Sequence, residues 1–292
     1  MPLMVPDRLP KRQPGTTEPD QEVRAVDLTP FRITDGRGLR LGDHPTKPPD
    51  GWDRDKAESR TRELNEQLLE RQALLYADGR HKFLVVLQAL DAGGKDGTIR
   101  NVFRGVNPSG VRVASFKKPS TEELSHDYLW RIHQRAPADG EMVIFNRSHY
   151  EDVLVVRVLD LVPEERWRRR YEHLVNFERM LTDEGTTIVK LFLHITKDEQ
   201  RKRLQKRLDD PTKNWKFEMV DLENRARWDD YQSAFEEAIA HTATDFAPWY
   251  IVPANKKWFR NLVISEILVQ TLDGLDLAFP APMPGLDKVH IE

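Results

Sequence analysis

The chain has 292 residues, 39% of them hydrophobic and 32% charged, with a formal net charge of −3. That describes a highly charged globular protein, long enough for one α/β domain with additions or for two small domains, in which any basic site must be local. Having no cysteine excludes disulfides, thiolate catalysis and cysteine-ligated zinc. With no apolar run near a membrane span of about 20 residues and no signal-peptide core, a cytoplasmic, non-membrane protein is expected.

Residues 1–52 hold nine of the nineteen prolines and little periodicity, and read as an extended N-terminal arm ordered only where it lies on the body or a neighbouring subunit. Residues 53–77 form a predicted helix with Ala57, Leu64, Leu68 and Leu75 on one face, ended by Gly79. Next, 83–87 is an apolar, partly β-branched run suited to a strand buried on both faces. Gly93 and Gly94 break it, Lys95 follows at once, and Ile99, Val102 and Phe103 then fall at helical spacing. Strand, glycine turn with lysine, and helix together make a phosphate cradle. Backbone N–H groups approach the anion, the helix N-terminus adds its dipole, and the lysine adds full charge.

The match to the P-loop pattern G-x-x-x-x-G-K-[ST] departs at two positions: Ala89 replaces the first glycine, and Asp96 replaces the Mg²⁺-binding Ser or Thr. Asp91 and Asp96 flank the lysine. Carboxylates beside a phosphate repel it unless a divalent cation lies between, so Mg²⁺ is expected. The plain alternative, that Asp96 caps the helix, is compatible with this role.

Residues 111–116 form a second strand that runs into Lys117-Lys118-Pro119. Ser120 and Glu123 form a capping box for a helix carrying Leu124, Tyr128, Leu129 and Ile132 inward. A strand at 141–145 leads directly into Asn146–Asp152. A helix follows at 165–183 and a strand at 187–195. Between Lys197 and Lys216 stand eight Lys or Arg against four Asp or Glu, with Asp209-Asp210-Pro211 interrupting the helix. Helix resumes over 221–241, then a short strand at 249–252, an apolar helix at 258–272, and a tail at 274–292. Alternating strands and helices imply an α/β fold: a parallel sheet with helices on both faces, here a P-loop domain over 53–273 in which the basic segment at about 197–227 reads as a helical lid. Ligands in such a sheet sit at the carboxyl ends of the strands. The charged loops after the strands are 91–96, 117–119, 146–152 and the segment after Ile195, and they should converge there.

Several stretches resemble the type-2 polyphosphate kinase family: DAGGKDGTIR (91–100), FKKPSTEELSHDYLWRIH (116–133), FNRSHYEDVL (145–154), TKDEQRKRLQKRLDDPTKNWKF (196–217) and APWYIVPANKKWFRNL (247–262). The resemblance covers roughly 68–272 and implies a P-loop enzyme passing phosphate between inorganic polyphosphate and nucleotides. Many members carry Asp-Arg-Ser-Trp-Tyr-Asn where this chain has Asn146-Arg147-Ser148-His149-Tyr150-Glu151. That variant is similar to the subgroup acting on both nucleoside mono- and diphosphates. Asn146 removes a Walker-B-type carboxylate, leaving Glu151 or water to serve instead.

Phosphoryl transfer asks chiefly for alignment and neutralisation of charge. Asp91, Lys95 and Arg147 are the expected catalytic residues: Lys95 at the transfer point, Asp91 on the metal and the acceptor phosphate as the resemblance implies, Arg147 forking onto phosphate oxygens. The plain readings are a turn-forming Asp91, a solvated Lys95, and an Arg147 paired with Glu151 or Asp152. Gly93, Gly94, Lys95, Asp96, Lys117, Lys118, Arg203, Arg207, Lys213 and Lys216 should bind polyphosphate, the last four as a lid excluding water. Asp91, Ala92, Gly93, Gly94, Arg147 and Glu151 should hold the nucleotide, and Asp91, Asp96 and Glu151 the Mg²⁺, with Mn²⁺ as a substitute. His149 and His133 read as structural, because transfer between ionised phosphate oxygens needs no strong base.

The resulting expectation is a polyphosphate-dependent kinase converting AMP to ADP and ADP to ATP, reversibly, with adenine and secondarily guanine nucleotides as partners, no nucleic acid or membrane, and a homo-oligomeric assembly. Two rivals are an ATP-dependent P-loop nucleotide kinase and a non-catalytic polyanion or RNA binder. Asp96 in the Ser/Thr position argues against the first; the overall charge and the lack of clear aromatic platforms argue against the second.

Overall fold

Leu84, Val85, Val86 and Leu87 are each at most 1% exposed, so the apolar run is covered on both faces. It lies within strand β2 (Lys82–Gln88). The computed structural model describes residues 25–291. Among them β1 (Arg32–Ile33), β2, β3 (Val111–Ser115), β4 (Met142–Asn146), β5 (Thr186–His194) and β6 (Trp249–Pro253) form one sheet in the order β1-β6-β5-β2-β4-β3. Strands β2 to β6 pair in parallel, and the two residues of β1 add an antiparallel edge beside β6. The fold is therefore α/β, as expected. From β2 the chain moves out to β3, returns to β4, then crosses to β5 on the other side. The carboxyl ends of β2, β4 and β5 thus meet where the strand order reverses, the usual ligand crevice of such sheets.

One helical layer groups α1 (Arg54–Asp78), α2 (Lys95–Val102) and α10 (Lys257–Asp273). Helix α1 starts where the Asp53 carboxylate accepts from the Lys56 N–H and ends at Gly79, whose φ of 66° is the left-handed conformation a helix stop needs. It buries the anticipated stripe of Ala57, Leu64, Leu68 and Leu75, each leucine contributing about 2 kcal/mol by area. The other layer groups α5 (Glu151–Val158), α6 (Glu164–Asp183) and α9 (Trp228–Thr242). Helices α3 (Thr121–Ser125), α4 (Trp130–His133), α7 (Lys197–Asp209) and α8 (Met219–Ala226) lie in the connections.

Two expectations need correction, and one helix was not foreseen. The helix opened by the Ser120 capping box stops after one turn, because the Asp127 side chain accepts from the N–H groups of Leu129 and Trp130 and restarts the chain as α4. Leu124 is consequently 68% exposed, while Ile132 is buried. The helix expected over 221–241 is two, α8 and α9, divided at Arg227, where ψ is 29°. Helix α5 follows Tyr150 directly, burying Val153, Leu154 and Val158; a short apolar run alone does not announce a helix.

The first 24 residues of the proline-rich arm lie outside the described residues. The rest lies on the body: Val26, Phe31 and Leu41 are buried, and the Ile251 N–H donates to the Phe31 carbonyl.

Candidate functional site

The loop after β2 is shaped by three short-range constraints. Ala92 has a φ of 58° and Gly94 a φ of 109°, and the Gly93 N–H donates to the Leu90 carbonyl. A Cβ on Gly93 would lie 2.5 Å from that of Ala89. Ala89, standing where the pattern has glycine, therefore packs against the later glycine. A Cβ on Gly94 would come within 2.3 Å of Arg260 Nη1 and would sit on left-handed backbone. Gly94→Ala should accordingly displace Arg260 and lower turnover by roughly tenfold or more, since a misplacement of ~1 Å can cost about 10²-fold. Wild-type kcat in that variant would show that Arg260 and the loop need not keep this geometry.

Lys95 opens α2 and folds back so that Nζ donates to the Ala89 carbonyl at 2.8 Å. Burial, and then the Arg147 guanidinium, pull its pKa below the ordinary lysine range, while Asp91, Glu151 and Asp96 act in the opposite direction. Arg147 enters from the end of β4 in the left-handed conformation, with φ 63°. Its guanidinium lies between two carboxylates, 3.6 Å from Asp91 and 3.8 Å from Glu151. Burial works against its charge, but Glu151 and Asp91 more than offset that and raise its pKa. Asp91, Lys95 and Arg147, separated along the chain, thus meet at one rim of the sheet.

Asn224 on α8, which the sequence reading did not single out, donates to Asp91 Oδ2 at 2.7 Å, and Tyr231 Oη in turn donates to Asn224 Oδ1. The Gln200 side chain donates to the Asp91 carbonyl at 3.0 Å. On the other side Asn146 Nδ2 donates to Asp96 Oδ1 at 2.9 Å, so the amide in the Walker-B-type position orients a P-loop carboxylate.

The expected metal set of Asp91, Asp96 and Glu151 is not assembled as a cage: no group of three potential ligands gathers among the described residues. Asp91 and Glu151 share Arg147, while Asp96 is held by Asn146. Mg²⁺, which keeps waters and is held by one or two carboxylates together with substrate phosphates, does not require such a cage.

The residues of the expected lid divide by what their side chains touch. Arg203 on α7 braces the cradle, donating to the carbonyls of Gly93 at 2.8 Å and Ala92 at 3.2 Å, to that of Ala254, and to Glu199. Arg207 ties this basic segment together through the Lys216 carbonyl and Asp221. Lys213 pairs with Asp210, and Lys216 lies 4.8 Å over the Trp215 ring. Lys117 and Lys118 are exposed on the opposite wall, where Arg131 donates to the Lys117 carbonyl. These residues line one cleft of ≈ 2710 Å³ together with the cradle and the Arg147 loop.

Two cations on that cleft were missed. Arg260 and Lys257, at the start of α10, face the cradle from beside Arg203. Arg260 is 1% exposed and donates to the Gly94 carbonyl at 3.3 Å and to the neighbouring Asn261 side chain, with no carboxylate in ion-pair range among the described residues. Burial and Arg203 depress its pKa to about 9; burial, Arg203 and Arg260 depress Lys257. A buried guanidinium held without a carboxylate partner, as Arg260 is among the described residues, is prepared for an anion. The i,i+3 spacing of Lys257 and Arg260, just past the last strand, was the available signal.

Comparisons with known proteins match one family model and several relatives. The family model described as Polyphosphate kinase 2 (PPK2) matches residues 51–279. Over 229 residues the chain is 65% identical to the AMP/ADP-polyphosphate phosphotransferase of Meiothermus ruber, covering 78% of this chain and 86% of that protein. It is 43% identical over 271 residues to the ADP-polyphosphate phosphotransferase of Rhodopseudomonas palustris, covering 88% and 94%. Among solved structures, that of polyphosphate kinase 2 from Arthrobacter aurescens superposes with a TM-score of 0.85 at 40% identity, covering 90% of this chain and 96% of that one.

Proposed function

The chain belongs to the Polyphosphate kinase 2 family, and we propose that it transfers the terminal phosphate of inorganic polyphosphate to AMP and to ADP, giving ADP and ATP, with the reverse direction open to the same residues. The observation that carries this reading is the concentration of charge at one crevice. Lys95, Arg147, Arg203, Lys257 and Arg260 surround the loop after β2, and two further basic walls line the same cleft. A single nucleotide needs fewer cations than this; a nucleotide and a long phosphate polymer together need them all.

In this reading the oxygen of the acceptor's terminal phosphate attacks the terminal phosphorus of the polymer, the bridging bond to the next phosphate breaks, and the shortened polymer leaves as the anion. Both ends are already ionised, so no general base is required. Lys95 neutralises the transferred group and Arg147 forks onto its oxygens. Asp91 and Glu151 keep Arg147 aimed, and are the carboxylates that would hold Mg²⁺, which would supply further positive charge against the phosphates. Arg260 and Lys257 hold the polymer behind the cradle, with Lys117 and Lys118 on the far wall. Closure of the lid over 197–227 excludes water, and the gain is electrostatic: a charge pair at ~4 Å is worth about 1 kcal/mol in water and about 4 at an effective dielectric near 20.

A ³¹P NMR time course with AMP, Mg²⁺ and long-chain polyphosphate as sole donor tests this. ADP should appear first and ATP after it. Conversion only after a nucleoside triphosphate is added would identify an ordinary nucleotide kinase instead. Capture of the polymer should also be salt-sensitive. As the screening length falls from about 10 Å at 0.1 M to about 3 Å at 1 M salt, the KM for polyphosphate should rise by roughly tenfold or more. A flat response would contradict a multi-residue anionic track.

A further inference from the structure

Beneath the Arg147 loop lies a closed polar cluster that the transfer reaction itself does not use. Glu178 on α6 and Lys190 on β5 form an ion pair at 2.6 Å with both side chains 0% exposed. Lys190 Nζ spends its other two hydrogens on the Thr242 carbonyl at 2.7 Å and Tyr150 Oη at 3.1 Å. Tyr150 Oη donates to Glu178 Oε1 at 2.7 Å, and His149 Nε2 lies 3.1 Å from the same oxygen. As an ionised carboxylate only accepts, His149 carries its hydrogen on Nε2. Burial pushes the Glu178 carboxyl up, but Lys190 and His149 pull harder, leaving it below the ordinary range.

The cluster holds the two residues that link Arg147 to Glu151 through Ser148. Ser148, His149 and Tyr150 are all 0% exposed, while Arg147 and Glu151 border the cleft on either side of them. Ser148 Oγ accepts from Gln88 of β2 and from the Tyr150 N–H, and the Arg147 N–H donates to the Leu87 carbonyl. Arg147 itself keeps a left-handed φ, which a non-glycine residue holds only when its surroundings impose it. Replacing a buried ion pair by apolar groups is often neutral for stability, so stability alone gives little reason for this one, whereas fixing a loop conformation does.

We infer that Glu178, Lys190 and Tyr150 are positioning residues for phosphoryl transfer, holding the 147–151 loop so that the Arg147 guanidinium meets the transferred phosphate. This rests on the reading of Arg147 as a phosphate-binding group. Its consequence is coupling: perturbing the cluster should matter only while Arg147 is present to be aimed.

The test is a double-mutant cycle on the full chain with Mg²⁺, ADP and polyphosphate. Tyr150→Phe removes one hydroxyl and keeps the ring, so it tests the cluster without leaving a cavity; Glu178→Gln is the stronger perturbation, used where circular dichroism shows it folded. Against wild type, Tyr150→Phe should lower kcat by roughly tenfold with the KM for polyphosphate within about twofold, the pattern of a displaced transition-state contact. In an Arg147→Ala background the same substitution should change kcat by less than about twofold, because the group it aims is gone. Equal losses in both backgrounds, or no loss in either, would overturn the inference and leave Arg147 in its role. An Arg147→Ala enzyme as active as wild type would overturn that role and the inference together.

Discussion

Lys95→Ala should lower ATP formation from ADP and polyphosphate by roughly 10³-fold or more, while the thermal midpoint moves by no more than a few degrees. Loss of one preorganised contact to a developing charge already costs about 10²–10³-fold, and Lys95 brings a full charge rather than a dipole. The fold should survive because Nζ makes one hydrogen bond among the described residues, to the Ala89 carbonyl, and because burial disfavours its charge. Ala89 is itself at a turn whose shape comes from Ala92, Gly93 and Gly94. Initial rates at saturating substrate, with a melting curve on the same preparation, check both halves. Activity within about tenfold of wild type would remove Lys95 from the transfer point.

Asp91→Asn should cost roughly 10²–10³-fold in kcat and shift the Mg²⁺ concentration needed for half-maximal rate upward, also by about tenfold. The substitution is nearly isosteric. Its amide oxygen can still accept from Asn224, which now donates to Asp91 at 2.7 Å, so the lid contact has a substitute. Two things go with the charge: the carboxylate proposed to ligate the metal, for which the amide is a neutral and weaker ligand, and one of the two anions flanking Arg147. Glu151 remains, so Arg147 should swing toward it rather than leave the site. A Mg²⁺ titration of the variant separates the two losses. A lower kcat with an unchanged Mg²⁺ requirement would assign Asp91 to aiming Arg147 alone.

Much of this site was legible from residue order because its main components are local. A strand buried on both faces, a Gly-Gly-Lys turn and a helix are neighbours in the chain, and their joint meaning needs no tertiary information. The convergence of the loops at 91–96 and 146–152 followed from the parallel-sheet rhythm. Arg260 was hidden because its role depends on a contact with Gly94, 166 residues away, and an arginine inside an apolar helix reads as a snorkelling surface group. Arg203 was expected in a basic lid, and its hydrogen bonds to the Ala92 and Gly93 carbonyls were not foreseen, since charge patterning does not say whether a guanidinium finds an anion or a carbonyl. Asn224 and the split of the 120–133 helix at Asp127 share a cause: a short polar side chain competing for particular backbone or side-chain partners leaves no periodic trace. The Glu178–Lys190 pair was invisible because both residue types are ordinarily exposed.

The most direct test is the initial rate of ATP formation from ADP and Mg²⁺ with long-chain polyphosphate as the only donor, measured side by side for wild type and Lys95→Ala. A clear rate for wild type, abolished in the variant at equal folded fraction, is the predicted result. No ATP from wild type until a nucleoside triphosphate is supplied, or equal rates for the two proteins, would contradict it.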